Sequence, residues 1–290
     1  MGTSPPVADV TAVVVNFNSG ERLQKLLSLL SEEVIAVVVV DNASSDGSAA
    51  TPDSPSVKTI RNESNEGFAA AANRGAARAS SSWILFVNAD VHTRAGQVAA
   101  LVEGLDGSTA VVAPLQIDGR GEPLQESGGY RPGLGRFLLW SVLPGSMHGR
   151  FGPWLAAPFP IADTGLPWVS GAMIAVRRDV FESTGGFDER FFLFLEDVDL
   201  CRRIGTLGYR VVLRGSIRVR HEVGQGDPAR RQDAMSHYVE SLGILFNGWR
   251  RRALGLILLL GFGIRSILSS EPARSSARAA IGPSTKLLFG

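Results

Sequence analysis

The chain has 290 residues, of which 44% are hydrophobic and 20% charged, and its formal net charge is +1 at pH 7. This composition excludes general disorder and predicts one large or two small globular domains. A single cysteine, Cys201, excludes a disulfide framework and favours a reducing compartment. The N-terminus has neither a basic segment nor a long apolar run, so we expect no secretory signal and a cytosolic protein.

Strands and helices alternate over the first ninety residues. Short apolar, β-branched runs predict strands at 11–15, 34–40, 57–60 and 83–87. Between them, helical spacing of leucine and a run of alanine predict helices over 23–30 and 68–79. Such alternation predicts the α/β class, with a mostly parallel sheet flanked by helices.

Polar residues follow these predicted strands, and the carboxyl ends of parallel strands are where such sheets bind ligands. The residues concerned are Asn16, Asp41, Arg61, Asn88 and Asp90. The chain contains neither GxGxxG after the first strand nor GxxxxGK[ST], so a dinucleotide fold and a P-loop are both excluded. Two oxygen ligands spaced as in Asn88-Ala89-Asp90 suit a divalent cation that bridges a diphosphate, although a polar strand end has the same pattern.

The stretch GGFDERFFLFLEDVDL, residues 185–200, mixes acidic and aromatic side chains and predicts a lined pocket. Its aromatic members, with a neighbour just upstream, are Phe181, Phe187, Phe191, Phe192 and Phe194. A helical pattern begins at the acidic pair Glu196 and Asp197 and stops at Gly208. Asp197 therefore lies near a helix start, where it either caps the helix or performs chemistry.

Several segments together carry a resemblance to a known family, among them VVVNFNSGERL, VVVVDNASSDGS, RNESNEGFAAAANRG, WILFVNAD and the acidic stretch above. They closely resemble the family 2 inverting glycosyltransferases of the GT-A fold, particularly the bacterial rhamnosyltransferase branch. The resemblance covers roughly residues 9–226 and implies a catalytic domain there, with an irregular acceptor-side insertion at 119–167. Residues 227–290 are expected to form a helical C-terminal extension.

The resemblance implies a role for individual residues. Asp197 takes the position of the catalytic base with Glu196 beside it, and Arg202 or Arg203 would help to stabilise the leaving group. Asp90 and His221 take the metal positions, for Mg²⁺ or Mn²⁺. Residues expected on the acceptor side are Trp168 and Gly171, and Trp140 and Trp154 of the insertion are available for sugar stacking or membrane contact. The nucleotide-sugar site is expected to comprise Asn16, Asp41, Arg61, Asn65, Gly67, Asn73, Asn88 and Asp90.

The function implied is transfer of a sugar with inversion, L-rhamnose from dTDP-rhamnose, onto a polyprenyl-diphosphate-linked sugar in cell-wall or polysaccharide assembly. A UDP-linked donor stays open, because an aspartate at position 41 can pair with the imide of thymine or uracil. One alternative is a non-catalytic relative that binds sugar nucleotides. Another is a sugar-phosphate nucleotidylyltransferase, which should show a glycine- and lysine-rich loop after the first strand that this chain lacks. No nucleic-acid partner is expected.

The C-terminal region is locally basic and contains an apolar run. Residues 202–252 hold eleven arginines against four acidic residues, and residues 253–264 are continuously apolar. That run is too short to cross a bilayer, at ~1.5 Å per residue against a hydrocarbon core of ~30 Å. We expect Trp249 to Ile264 to lie in the membrane interface, which places the protein peripherally on the inner face of the cell membrane. A homodimer interface would bury the same residues. The chain is expected to fray from Gly282 onward.

Overall fold

The computed structural model describes residues 7–48, 50, 54–142, 162–222, 228–268 and 273–289. The chain forms two compact units. The first comprises Met1–Gly128, Phe159–Glu189 and Glu196–Val223, and the second comprises Gly129–Pro158, Arg190–Leu195 and Gly224–Gly290. The second unit thus draws on the predicted insertion as well as on the C-terminal extension.

The first unit is built on a nine-stranded sheet. Its strands, together with the short β7 and β9 that pair separately, are β1 Ala8–Asn16, β2 Val34–Asp41, β3 Val57–Arg61, β4 Trp83–Val87, β5 Val91–His92, β6 Thr109–Ile117, β7 Gly128–Gly129, β8 Thr164–Gly165, β9 Trp168–Val169, β10 Met173–Arg177 and β11 Arg210–His221. The order across the sheet is β3-β2-β1-β4-β10-β6-β11-β5, and β8 pairs with β11. Strands β3, β2, β1, β4, β6 and β11 share one direction, whereas β10, β5 and β8 run against them. The predicted mostly parallel α/β sheet is confirmed.

Helices cover the sheet and form most of the second unit. Those of the first unit are α1 Glu21–Glu33, α2 Phe68–Ala76, α3 Gln97–Val102, α5 Arg178–Ser183 and α6 Glu196–Thr206, and those of the second unit are α4 Leu134–Val142, α7 Pro228–Leu245, α8 Gly248–Leu268 and α9 Ala273–Phe289. Leu23 and Leu27 of α1 join Val10, Ala12 and Val14 of β1 in one buried cluster. Their spacing puts the leucines on one helix face and the strand residues on one sheet face, as the sequence predicts.

The described part of the insertion at 119–167 is less irregular than its glycines and prolines suggest. It contains a short 3₁₀ turn at Gln125–Ser127 and the helix α4. Residues 143–161, with Trp154, lie outside the described residues, as does the side chain of Trp140. The roles expected for these two tryptophans therefore stay predictions.

The expectation of a frayed end after Gly282 is wrong, because α9 continues to Phe289. Leu287 is buried and lies over two glycines of the same unit: a Cβ at Gly243 or Gly255 would come within 2.5 Å and 3.0 Å of its side chain. This close approach anchors the last turns of α9. None of the described helices combines the length and the hydropathy needed to cross a bilayer.

Gly75→Ala is expected to destabilise the first unit, because a Cβ on this residue of α2 would lie 2.5 Å from Cγ1 of Val13 and 3.0 Å from Cγ2 of Val40. Overpacking of this kind costs about 1–3 kcal/mol. Gly205→Ala in α6 is the matched control, since its Cβ would meet nothing within 4 Å. Helix propensity alone should make that variant about 0.5–1 kcal/mol more stable. Urea unfolding measures the free energy of unfolding of both variants. Equal changes in the two would contradict the packing argument.

Candidate active site

A row of polar side chains crosses the carboxyl edge of the sheet. Asn16 is the Cα partner of Asp41, and Asp41 is the partner of Arg61, so the last residues of β1, β2 and β3 lie side by side. This is the convergence that the sequence predicts. The buried Asn16 donates from Nδ2 to Oδ1 of Asp41 at 2.8 Å. The backbone N–H of Ser44 lies 3.3 Å from the other carboxylate oxygen, so Asp41 is fixed in one orientation.

Asn42 holds the loop that contains Asn65 and Gly67, two residues expected to line the nucleotide site. Asn42 is not among the residues predicted from the sequence. Its Nδ2 donates to Oδ1 of Asn65 at 2.7 Å and to the carbonyl of Gly67 at 3.1 Å. Its own Oδ1 accepts from Asn62 and from the backbone N–H of Glu66. The buried Asn42 therefore shapes this loop, and Asn65 takes part mainly as an element of that frame. A buried asparagine directly after a strand is the signal that could have identified it.

The side-chain amide of Asn73, the other predicted nucleotide residue of this region, forms its hydrogen bonds with protein groups. Its Nδ2 donates to the carbonyl of Phe187 at 2.9 Å and to Glu189 at 3.0 Å, and its Oδ1 accepts from the Phe187 N–H at 2.9 Å. A Cβ on Gly186 would sit 2.6 Å from this Oδ1, and Gly186 has φ +74°. Asn73 thus fixes the turn that leads toward the acidic stretch, and only glycine fits that turn.

Asp90 and His221 are far apart in sequence and adjacent in space. Strand β5 pairs with β11 so that His221 is the partner of Val91, and Nε2 of His221 lies 3.3 Å from Oδ1 of Asp90. Nδ1 of His221 lies 2.8 Å from Oε1 of the buried Gln116. With Nδ1 donating to that amide oxygen, the lone pair of Nε2 faces the carboxylate. A histidine fixed through its other ring nitrogen is typical of metal ligands.

The donor set fits a divalent cation. Oδ1 of Asp90 is buried and makes no hydrogen bond with any described residue, so a carboxylate oxygen and an imidazole lone pair face each other across 3.3 Å. Two such atoms can share one ion. No group of three His, Cys, Asp or Glu side chains suited to a metal occurs among the described residues. The remaining ligands of a cation here would come from substrate and water.

The acidic pair Glu196 and Asp197 begins α6, as the sequence predicts. Oδ2 of Asp197 accepts a 2.6 Å hydrogen bond from the backbone N–H of Gly171, and Oδ1 accepts one from the N–H of Val198. Gly171, expected on the acceptor side, therefore orients the carboxylate. A Cβ there would come within 3.3 Å of the Cβ of Asp197, which favours glycine.

The two carboxyl groups have different environments. Burial, reinforced by the neighbouring negative charge of Asp197, raises the pKa of Glu196 to about 8. Burial also raises the pKa of Asp197, but the backbone N–H groups of Gly171 and Val198 act in the opposite direction. Glu196 is buried, and its Oε2 makes no hydrogen bond with a described residue, whereas Asp197 is half-buried. The backbone hydrogen bonds to Asp197 favour its charged form, whereas burial of Glu196 favours its neutral form.

The arginines expected to assist the leaving group are engaged elsewhere. Arg202 and Arg203 both pair with the buried Asp199, at 2.6 Å and 2.7 Å. Arg203 also donates to the carbonyls of Thr184 and Gly186. The contacts of Arg203 hold the 184–186 turn against α6, whereas Arg202 pairs with Asp199 and its side chain is 55% exposed. The leaving-group role expected for either arginine stays a prediction.

Several aromatic residues of the acidic stretch take part in aromatic packing within their own unit. Phe187 packs edge-on against Phe86 of β4 at 4.9 Å and against Phe181 at 5.4 Å. In the second unit, Phe192 stacks on His237 at 4.5 Å. Hydrophobic burial against the sheet accounts for Phe187 and Phe181, and the expected lined pocket stays a prediction. Trp168 is only 5% exposed, so its ring offers little surface for sugar stacking, and its acceptor role stays a prediction.

Comparisons with known proteins define the class. The solved mannosyltransferase PcManGT from Pyrobaculum calidifontis, in complex with GDP-Man and Mn²⁺, matches with a TM-score of 0.60 at 18% identity, over 98% of this chain and 88% of that one. GalNAc-T7 with UDP, GalNAc and Mn²⁺ matches with a TM-score of 0.60 at 16% identity, over 96% and 56%. The fold is therefore that of the GT-A glycosyltransferases.

The family follows from sequence. The family model for glycosyl transferase family 2 matches residues 11–185. The N-acetylglucosaminyl-diphospho-decaprenol L-rhamnosyltransferase of Mycobacterium tuberculosis H37Rv is 31% identical over 318 aligned positions, covering 98% of this chain and 99% of that protein. The chain belongs to glycosyl transferase family 2, and it is a glycosyltransferase.

Glu196→Gln should flatten the pH dependence of stability. The folded chain keeps the Glu196 proton up to a pKa of about 8, whereas the unfolded chain releases it near the ordinary value of 4.5. The native state binds more protons in that window, so this group's contribution to the free energy of unfolding falls as pH rises from 4.5 to about 8. Glutamine mimics the neutral acid and has no such dependence. Urea unfolding across this range tests it, and parallel pH profiles for the two proteins would contradict the assignment.

Proposed function

We propose that the chain transfers L-rhamnose, with inversion, from dTDP-rhamnose to a sugar carried on a polyprenyl diphosphate. The observation that carries this proposal is the near full-length similarity to the mycobacterial enzyme, whose name specifies both the L-rhamnosyl group and a decaprenyl-diphosphate-linked acceptor. Asp41, held by Asn16 and Ser44, is the group proposed to pair with the base of the nucleotide. A UDP-linked donor presents the same imide, so the choice of base rests on the relative.

The proposed chemistry is a single displacement. An acceptor hydroxyl is a weak nucleophile, so its proton passes to Asp197 as its oxygen attacks the anomeric carbon. The bond from that carbon to the diphosphate oxygen breaks, the nucleoside diphosphate leaves, and the anomeric centre inverts. The Gly171 N–H orients the base, and the neutral Glu196 beside it avoids a second buried negative charge.

The proposed metal ligands are Asp90 and His221. A bound Mg²⁺ or Mn²⁺ would supply positive charge to the departing diphosphate. Support comes from the unpaired Oδ1 of Asp90 facing Nε2 of His221, and from the Mn²⁺ named with both solved structures of this fold. Because the acceptor of the relative is carried on a lipid, we also place the enzyme peripherally on the inner face of the cytoplasmic membrane.

Asp197→Asn should lower kcat by ~10²–10⁴-fold, because an amide keeps the shape of the side chain but cannot take the proton. Donor affinity, measured by calorimetry with the nucleotide sugar, should stay within about twofold of the wild type, since no donor contact is removed. The matched control is Glu196→Gln, the same chemical change one residue earlier. Because Glu196 is already neutral at pH 7, this variant should keep most of the turnover.

The assay is release of nucleoside diphosphate when dTDP-rhamnose and a lipid-linked GlcNAc diphosphate are supplied together. Wild-type turnover in Asp197→Asn would show that this carboxylate is only a helix cap. An absence of release by the wild-type protein, with either a dTDP- or a UDP-linked donor panel, would remove the proposed reaction itself.

Asp90→Ala should weaken donor binding and turnover together, because the metal would join protein and diphosphate. His221→Ala should act in the same direction and more weakly, and excess EDTA should abolish activity in a way that Mg²⁺ or Mn²⁺ reverses. Glu103→Ala, which removes an exposed carboxylate outside the proposed site, is the control. Full activity in chelator would exclude the metal.

A further inference from the structure

The helix α8 is two-sided, although its sequence reads as an unbroken apolar run. One side is buried within the second unit and includes Leu254 and Leu258. The other side is open to solvent and is apolar over most of its length: Trp249 is 70% exposed, Leu256 53%, Leu260 58% and Ile264 49%. These four residues, which we call the outer stripe, recur near one side of a 3.6-residue helix. The stripe extends for about 22 Å at ~1.5 Å per residue.

A basic cavity opens where the outer stripe begins. It has a volume of about 370 Å³ and is lined by Gly248, Trp249, Arg251, Arg252 and Leu287, all in the second unit. That volume lies near the lower end of ligand-binding pockets, which suits a small polar group. The first N–H groups of the 21-residue helix α8 also lie at this end, so the helix dipole adds to the positive charge.

The chemistry of the cavity calls for an anion. Nε of Arg251 is buried and has no acceptor among the described residues, and Nη2 of the same guanidinium donates a long, 3.4 Å hydrogen bond to the Lys286 carbonyl. A buried donor without an acceptor is unfavourable, and the guanidinium of this lining residue keeps hydrogen-bonding capacity that suits an anion such as phosphate. Residues 248–268 include four arginines and no acidic residue, so α8 carries no carboxylate of its own to neutralise the cavity.

We infer that α8 is a membrane-docking helix, in which the Arg251/Arg252 cavity binds the phosphate of an anionic phospholipid while the outer stripe enters the acyl boundary. The stripe runs along the helix, so α8 lies parallel to the bilayer surface. Exposed Arg250 sits 5.9 Å over the Trp249 ring, and this pairing of a cation with an aromatic ring is suited to the interface between headgroups and chains. The inference concerns a lipid site distinct from the proposed transfer site and does not depend on that reaction.

Flotation of the full-length protein tests the inference, using phosphatidylcholine vesicles with and without phosphatidylglycerol. The wild type should float with the anionic vesicles and much less with neutral ones. Leu256→Ser combined with Leu260→Ser should weaken partitioning about tenfold or more, because two side chains no longer enter the apolar layer. Leu207→Ser is the matched control, since Leu207 is equally exposed but lies in the first unit. The vesicles contain no acceptor lipid, so binding to them requires phospholipid alone.

A pair of arginine variants tests the cavity. Any one basic residue near such a surface contributes ~1 kcal/mol, or about fivefold, so Arg252→Gln should weaken binding to anionic vesicles by clearly more than fivefold. Arg250→Gln removes an equal charge that does not line the cavity and should have a smaller effect. If the two variants lost equal vesicle affinity, the phosphate-binding role of the cavity would be wrong, and general surface charge would explain the binding. Inorganic phosphate at matched ionic strength should compete with vesicles for the wild type and not for Arg252→Gln.

Two other outcomes would overturn the inference as a whole. One is a wild-type protein that ignores both kinds of vesicle. The other is a dimer in gel filtration that the Leu256 and Leu260 changes dissociate, because the outer stripe would then be a subunit interface. Transfer to a water-soluble acceptor analogue separates this inference from the proposed function: all four α8 substitutions should leave that activity unchanged, whatever they do to flotation.

Discussion

Two carboxyl groups on consecutive residues, held in a buried environment, set the main constraint on this enzyme. Glu196 and Asp197 cannot both be charged there without a large desolvation cost, and the backbone N–H groups of Gly171 and Val198 favour the charged form of Asp197. The surrounding architecture serves that arrangement. Asp199 and Arg203 join α6 to the 184–186 turn, and Asn73 holds the following residue of that turn from α2. The acidic helix is thus tied to a helix that borders the predicted nucleotide site.

At the proposed donor site, the register of the strands positions the side chains. Parallel pairing places Asn16, Asp41 and Arg61 in one row, and antiparallel pairing of β5 with β11 brings His221 beside Asp90. Sheets are rigid, so side chains at strand ends need few additional contacts to stay in place. In the proposed metal site only Asp90 and His221 would be ligands from the described residues, so the donor and water would supply the rest. A metal site of this kind would be completed only when the donor binds.

Local patterns in the sequence predict the strands of the first unit closely, because buried β-branched runs have few alternatives. They also predict which strand ends converge, since parallel topology fixes that. Local patterns do not predict contacts between residues that are far apart in the sequence. Nothing near Asn73 indicates that Phe187, 114 positions away, would take its hydrogen bonds. Likewise, the sequence does not show that Arg202 and Arg203 form ion pairs with Asp199. Nor does the uniform apolar run show that α8 has one buried and one exposed face. Phe194 and Leu195, just before the acidic pair, have φ of 69° and 68°. Phenylalanine and leucine rarely adopt such left-handed angles, so the sequence does not predict them.

Cys201 has a practical consequence. It is the only cysteine of the chain and lies buried in α6, and burial raises the pKa of its thiol to about 12. Since the thiolate is the reactive species, the folded protein should be inert toward maleimides and iodoacetamides at neutral pH. A cysteine introduced at any exposed position would then be the sole reactive thiol. Fluorophores and spin labels can be attached to the natural background at one chosen residue, which makes the chain well suited to spectroscopic work on how it moves during turnover.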